Sequence, residues 1–422
     1  MRSVGGLVAA QALCYTATRL AMIAIPWFVL EATGSPASMG AVAFFEIGSY
    51  TLARLLGGPL LDRMGQRAVS VRADLVAAAA VACVPLLHTA GLLSFPVLLA
   101  LVTVIGLATG PAEAAKVSMA PAVAERTGTR LERVTGLTGT VDRLSTTVGP
   151  VAAGGLVSLL GALPALYTNA ALLAAAAVVL AATQPGERPR PGGDPEADAG
   201  YPTRLRTGWR AVWGDATLRV LVVVLAVTNM IDMSVASVLL PVWVDDNGMG
   251  PAVVGLLGGV MGAASVVGSL AATAVGHLLP RRAVFFAGLV LAGPPRLVVL
   301  ALDVPLWAVL AVWGLCGLAG GVLNPILGAV LFERLPRRAV GRGTATIGAL
   351  TRMAAPLGAP VAGAAAGLLG AAPVLLACAA LYLAAVLPPL VGRAAEGIDR
   401  HGTEARRSAG GAGGADAGTG TG

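Results

Sequence analysis

The chain has 422 residues, 56% of them hydrophobic and 12% charged, with a mean hydropathy of +0.80. An ordinary soluble domain is about a quarter charged, so a soluble enzyme, a secreted disulfide scaffold and a disordered chain are excluded. The net charge of +7 comes from 28 Arg and Lys116 set between apolar runs; this pattern reads as membrane topology and not as a nucleic-acid surface.

Aromatics are only 4%, without the girdles and alternation of an outer-membrane barrel. An all-α membrane protein remains, and about 20 apolar residues cross a bilayer once. In chain order the apolar runs predict helix 1 at Val4–Leu30, helix 2 at Ala37–Leu60, helix 3 at Ala68–His88 and helix 4 at Phe95–Ala120. Helix 5 is expected at Gly136–Leu160 and helix 6 at Pro164–Thr183. A polar stretch rich in Pro, Gly and Arg follows, from Gln184 to Thr217. Helices 7 to 12 are expected at Leu218–Val244, Ala252–Leu279, Ala283–Leu302, Pro305–Leu331, Thr344–Leu369 and Ala372–Val391. The Gly/Ala-rich tail from 393 to 422 reads as disordered. Arg2 precedes an apolar run without a small-residue cleavage site, which reads as an uncleaved signal-anchor helix. All four Cys lie inside apolar runs and read as packing residues.

The connections separate by charge. One side holds Arg63 and Arg67, then Arg126, Arg130 and Arg133, the 184–217 stretch, Arg281 and Arg282, Arg334, Arg337 and Arg338, and the tail. The other side carries Glu31, Asp245, Asp246 and Asp303 and neither Lys nor Arg. Lys and Arg stay on the cytoplasmic side during insertion. Both termini and the linker are therefore expected in the cytoplasm of a bacterial cell, with the protein in its inner membrane.

A shift of 209 residues aligns Arg133–Leu172 with Arg342–Leu381, and sixteen of forty pairs are identical. They include Arg133/Arg342, Arg143/Arg352, Gly149/Gly358, Gly154/Gly363, Gly161/Gly370 and Pro164/Pro373. Helices 5 and 6 thus match helices 11 and 12. Two parallel six-helix bundles are expected, 1–183 and 218–392, joined by a cytoplasmic linker at 184–217.

Between helices 2 and 3 the chain reads GGPLLDRMGQR, with Gly58, Leu60, Asp62, Arg63, Gly65 and Arg67. This resembles the G-x-L-x-D-R-x-G-x-R signature of the major facilitator superfamily. The resemblance implies a gate: Asp62 meets the cytoplasmic start of helix 11, where a helix dipole favours a carboxylate, and holds that side shut. Gly58 would allow close approach and Gly65 a sharp turn. The second-half segment GHLLPRR has Pro280 at the Asp position, so the latch is expected in the first half alone. Ile25-Pro26-Trp27, Asp215–Leu218–Arg219, Leu240-Pro241 and Gly341-Arg342 look like the macrolide-efflux and enterobactin-exporter branch, the third drug:proton antiporter group. Helix 5 carries Gly149-Pro150 and Gly154-Gly155, similar to the G-P-x-x-G-G element of proton-coupled exporters with one extra residue. It is expected to act as a hinge sliding against the other half, and ordinary small-residue packing is the competing reading.

Charges within spans are functional candidates, with structural pairing as the alternative. Counting about 1.5 Å per residue, Arg19 and Glu46 reach similar depth and could pair. Arg54, Glu113, Lys116, Asp142 and Arg143 crowd the cytoplasmic third of the first half, and Glu113 and Lys116 could neutralise each other. Asp232, Arg296 and Arg352 stand alone on their helices. Asp232 and Glu46 lead as proton-coupling candidates, with Glu113 and Asp142 behind them. A central cavity is expected near Asn229, Asn324, Gln11, Thr18 and Tyr15, with Phe44, Phe45 and Trp27 as walls. So few large polar groups suit an amphipathic or hydrophobic solute better than a sugar.

There is no P-loop, and His88, His277 and His401 have no metal-ligand spacing. No cofactor or metal is expected. The reading is a secondary exporter of a small amphipathic solute, a drug, antibiotic or secondary metabolite, driven by proton antiport through rocking halves. Two covalently joined halves make a monomer sufficient. A uniporter or importer of a specific metabolite is the alternative, and a membrane-embedded enzyme or sensor stands behind both.

Overall fold

The computed structural model describes residues 2–185, 209, 210, 212–275, 281–334 and 340–391. Long Ala-, Leu- and Val-rich stretches satisfy their backbone polar groups within the helix, as a lipid environment demands. They form α1 (Arg2–Thr33), α2 (Pro36–Leu56, continued by Gly58–Met64) and α3 (Gln66–Thr89). Next come α4 (Phe95–Ser118 and Ala120–Thr127), α5 (Leu131–Leu160) and α6 (Ala162–Thr183). The second half has α7 (Ala216–Ser234, a π-helical turn Val235–Leu239, then Leu240–Asp246), α8 (Pro251–Val275) and α9 (Arg281–Ala292 and Pro294–Ala301). It ends with α10 (Leu306–Gly321 and Leu323–Arg334), α11 (Val340–Met353 and Ala355–Leu369) and α12 (Ala371–Val391).

Five helices expected to be continuous are broken, at Gly57, Met119, Gly293, Val322 and Ala354. A proline follows each break within three residues: Pro59, Pro121, Pro294, Pro325 and Pro356. Proline lacks the N–H for the helical ladder and disfavours helical geometry in the residue before it. Among the described residues nine helices are long and apolar enough to cross a membrane. The three that fall short, α2, α5 and α11, all belong to the pairs that join the halves, whose fourth member α8 is apolar enough.

The halves repeat each other in their packing. In the first, α1 lies on α5 and α6, α2 on α4, and α3 on α4 and α6. In the second, α7 lies on α11 and α12, α8 on α10, and α9 on α10 and α12. Adding six to each first-half number gives the second-half pairs, so the repeat seen in helices 5 and 6 extends through the bundle. The turns repeat as well. Gly161 (φ +84°) and Gly370 (φ +82°) end α5 and α11 in a conformation that L side chains rarely adopt.

Two further helix pairs join the halves, α5 with α8 and α2 with α11. Their tight contacts are backbone to backbone. A Cβ on Gly154 of α5 would stand 2.8 Å from the Pro251 carbonyl oxygen and 2.9 Å from the Cα of Gly255 on α8. On the symmetry-related side, Gly363 of α11 faces Pro36 and Gly40 of α2. These seams lie toward the end bearing Glu31, Asp245 and Asp303, the acidic end. Toward the Arg-rich end Leu52, Leu137, Leu144, Val266 and Leu270 of the same helices are exposed. Among the described residues, the halves meet closely at the acidic end and present exposed apolar side chains toward the Arg-rich end.

Candidate transport site

Between the halves lies a cavity of about 540 Å³. Its first-half wall is α1 and α5, through Arg19, Met22, Ile23, Arg143, Thr146, Thr147 and Pro150. Its second-half wall carries Asp232 and Val235 of α7, Met261, Ser265 and Leu270 of α8, Arg296 of α9 and Trp313 of α10. Apolar surface with a few charged groups suits an amphipathic ligand.

Asp232 and Arg296, each alone on its own helix, form an ion pair across α7 and α9. Helix-by-helix reading missed it because the partners are 64 residues apart. Arg296 is buried, its guanidinium 5.8 Å from the Trp313 ring, whereas the Asp232 side chain keeps 41% exposure to the cavity. The π-helical turn begins three residues after Asp232, and its first two residues line the cavity. Such turns often mark functional sites, and no sequence signal announced this one.

Arg19 does not pair with Glu46. Its Nη2 donates to Thr146 Oγ1 (3.0 Å) on α5 and its Nη1 to Met22 Sδ (3.5 Å). Gly149 makes room for it, since a Cβ there would stand 2.7 Å from Arg19 Cγ. Equal depth on two helices does not place two side chains on facing sides. Glu46 is half-buried and forms no ion pair or side-chain hydrogen bond among the described residues, and the same holds for Asp142.

Glu113 and Lys116 do not neutralise each other. Glu113 Oε2 accepts from the Tyr50 hydroxyl (2.6 Å) and pairs with Arg54 (3.1 Å), while Oε1 accepts from Thr18 (3.1 Å). Tyr50 in turn accepts from Arg54. Lys116 pairs with Asp74 of α3 at 2.7 Å, with both side chains buried. Sequence reading missed Asp74. The available signal was an acid two turns into helix 3, opposite the only lysine.

Several expected cavity residues do other work. Trp27 is buried and donates to Glu31 (2.7 Å). Asn229 reaches the Thr351 carbonyl on α11 (3.5 Å), and Gln11 is buried. Phe44 packs edge-on against Phe45. Neither Tyr15 nor Phe44 is in the cavity wall. Arg352 is exposed and has no ion pair among the described residues. The side chain of Asn324 lies outside the described residues.

In the turn after α2, Gly65 has φ +80°, which requires glycine. Around Gly58 a Cβ would meet nothing within 4 Å, so the expected close approach is absent. Leu60 and Arg63 are exposed. Arg67 Nη2 donates to the Ala181 carbonyl (2.6 Å) at the end of α6, and Arg282 Nη2 reaches the Leu390 carbonyl (2.6 Å) at the end of α12. The Asp62 side chain, the Arg342 side chain that was to stand near it and Pro280 lie outside the described residues, as do most of the linker and the tail. Asp215 caps α7 through Thr217 N (2.7 Å) and pairs with Arg334 (3.4 Å).

On α5, Gly149, Pro150 and Gly154 line the contacts with α1 and α8, whereas Gly155 faces open space. Their partner Gly255 on α8 was not singled out, nor was Gly40 of α2, which meets Gly363 of α11 in the matching seam. Pro36-x-x-x-Gly40 and Pro251-x-x-x-Gly255 open α2 and α8 alike, and that spacing was the missed signal.

The sequence profile of the Major Facilitator Superfamily matches residues 7–231 and again 222–410. The Multidrug efflux pump Tap of Mycobacterium tuberculosis is 28% identical over 357 residues, 82% of each chain. An uncharacterized MFS-type transporter, y4rN, of Sinorhizobium fredii is 30% identical over 374 residues, 85% of this chain and 87% of that one. Among solved structures, a mutant of the nucleoside transporter NupG superposes with a TM-score of 0.77 at 13% identity, covering 92% of this chain and all of that one. A bacterial homolog of the lysosomal transporter Spinster, in an inward-facing conformation, gives 0.68 at 13% identity, covering 95% and 97%. With its two matched six-helix halves around a central cavity, the chain belongs to the Major Facilitator Superfamily.

Proposed function

We propose that the protein is a proton-coupled exporter of small amphipathic solutes in the bacterial cell membrane. The supporting observation is the cavity between the halves, with Asp232 in its wall paired to Arg296. Similarity to a multidrug efflux pump favours outward movement. The Arg-rich end is assigned to the cytoplasm by the retention of positive charge there, so the cavity is an inward-facing one and solute enters from the cytoplasm. The halves then rock about the site. The glycine seams at the acidic end separate, and Asp62 latches the cytoplasmic end against the start of α11. Asp232 carries the proton, because it faces the cavity and its protonation releases Arg296. Glu113 is fastened by three donors and belongs to a static network, which leaves Glu46 and Asp142 as the next candidates. The two fused halves act as a monomer.

Dye uptake into energised inverted vesicles tests the proposal, with wild type, Asp62→Asn and Asp232→Asn compared with and without an uncoupler. Uncoupler-sensitive uptake is expected in the wild type and lost in both variants. Uptake that persists in Asp232→Asn rules out its proton role. Uptake indifferent to the uncoupler makes the protein a facilitator.

A further inference from the structure

The cavity wall holds three guanidinium groups, Arg19, Arg143 and Arg296, and one carboxylate, Asp232. Asp232 is already paired with Arg296. Arg19 and Arg143 remain on the first-half wall without a carboxylate partner among the described residues. The local side chains place the two together. Arg19 bonds Thr146, and Arg143 lies three residues before Thr146, on the same face of α5. Arg19 is held in position by its bond to Thr146 and by the space Gly149 leaves, and its Nε is buried without an acceptor. Arg143 is exposed to the cavity, and its guanidinium has no hydrogen-bond or ion-pair partner among the described residues.

Two like charges on a low-dielectric wall repel each other and retain unused donors, and an anion there answers both costs. A guanidinium fork matches the planar or trigonal oxygens of a carboxylate or sulfonate. On the opposite wall the Asp232–Arg296 pair is charge-balanced, and Val235, Met261, Leu270 and Trp313 give apolar surface beside it. We infer that the preferred cargo is an amphipathic organic anion, its acidic group held by Arg19 and Arg143 and its apolar body against α7, α8 and α10. The inference rests on the efflux reading and narrows it to a substrate class.

Binding to the full chain in lipid nanodiscs tests it, with protein-free discs as background. The probes are anilinonaphthalene sulfonate, phenylnaphthylamine (the same rings without the acid) and the cation tetraphenylphosphonium. At low salt the sulfonate should bind about tenfold or more tighter than phenylnaphthylamine, the size of one charged hydrogen bond. Arg143→Gln should bring the two to near parity, Arg143→Lys should keep part of the preference, and Arg19→Gln should act in the same direction. Arg143 is exposed, so its variants fold even if Arg19→Gln does not. Equal binding of sulfonate and phenylnaphthylamine, preference for the phosphonium, or a preference unchanged in Arg143→Gln overturns the inference. Uncoupler-sensitive uptake of phenylnaphthylamine or phosphonium alongside such a result leaves the efflux reading standing.

Discussion

Lys116 and Asp74 lose nearly all contact with solvent, so each is tolerated only because the other is present. Lys116→Met alone should destabilise the protein by about 3–5 kcal/mol, because it strands a buried carboxylate. Lys116→Met with Asp74→Leu should recover most of that loss in a thermal unfolding series. A single variant as stable as wild type would show that the pair is not isolated from water. The Asp232–Arg296 pair sits differently, with its carboxylate partly open to the cavity. Asp232→Asn should cost only about 1–3 kcal/mol, the penalty for a poorly matched buried donor. Coupled transport should vanish, and Asp232→Asn with Arg296→Gln should regain stability without regaining transport. The sequence alone showed which ionisable groups stand inside the membrane. It did not show their partners, because a helix presents its side chains all round and the rotation of each helix is set by its neighbours.

The glycine seams govern how α5 meets α8 and how α2 meets α11. At Gly255 a Cβ would stand 3.0 Å from Gly154 Cα, with the Pro150 carbonyl closer still. Gly255→Val should therefore overpack the seam by about 1–3 kcal/mol. That shifts a two-state equilibrium by roughly 5- to 150-fold away from closure at the acidic end. Transport should fall to a similar degree while thermal stability changes little, and unchanged transport rates would refute the hinge role of the seam. Gly155→Val, facing open space, is the matched control and should be close to neutral. The prolines that break α2, α4, α9, α10 and α11 were visible in the sequence, but apolar runs passing through them masked the breaks. The π-helical turn in α7 has no such marker and follows from the packing around it.

At the scale of the molecule, rocking requires the acidic end to open. A Cβ at Gly250 would lie 3.6 Å from Ser158 Oγ, across the two halves. Ser158→Cys with Gly250→Cys should therefore form a disulfide readily. Oxidation should lock the cavity open toward the Arg-rich end and stop transport, and reduction should restore it. Transport that continues in the fully oxidised protein would exclude separation of the halves at this seam.

Composition, the spacing of apolar runs and the sign of the connections determined the fold class, the span count and the two-half repeat. Those properties depend on how much apolar surface each segment carries, and that can be counted along the chain. Gly65 and the glycines ending α5 and α11 were legible for the same reason, since a backbone turn is local. The tertiary structure decided that Arg296 answers Asp232, that Asp74 answers Lys116 and that Arg19 turns toward α5 and away from Glu46. It also placed Arg143, and not Asn229 or Trp27, in the cavity wall. These are relations between faces of helices distant in sequence, and only close packing selects which faces meet.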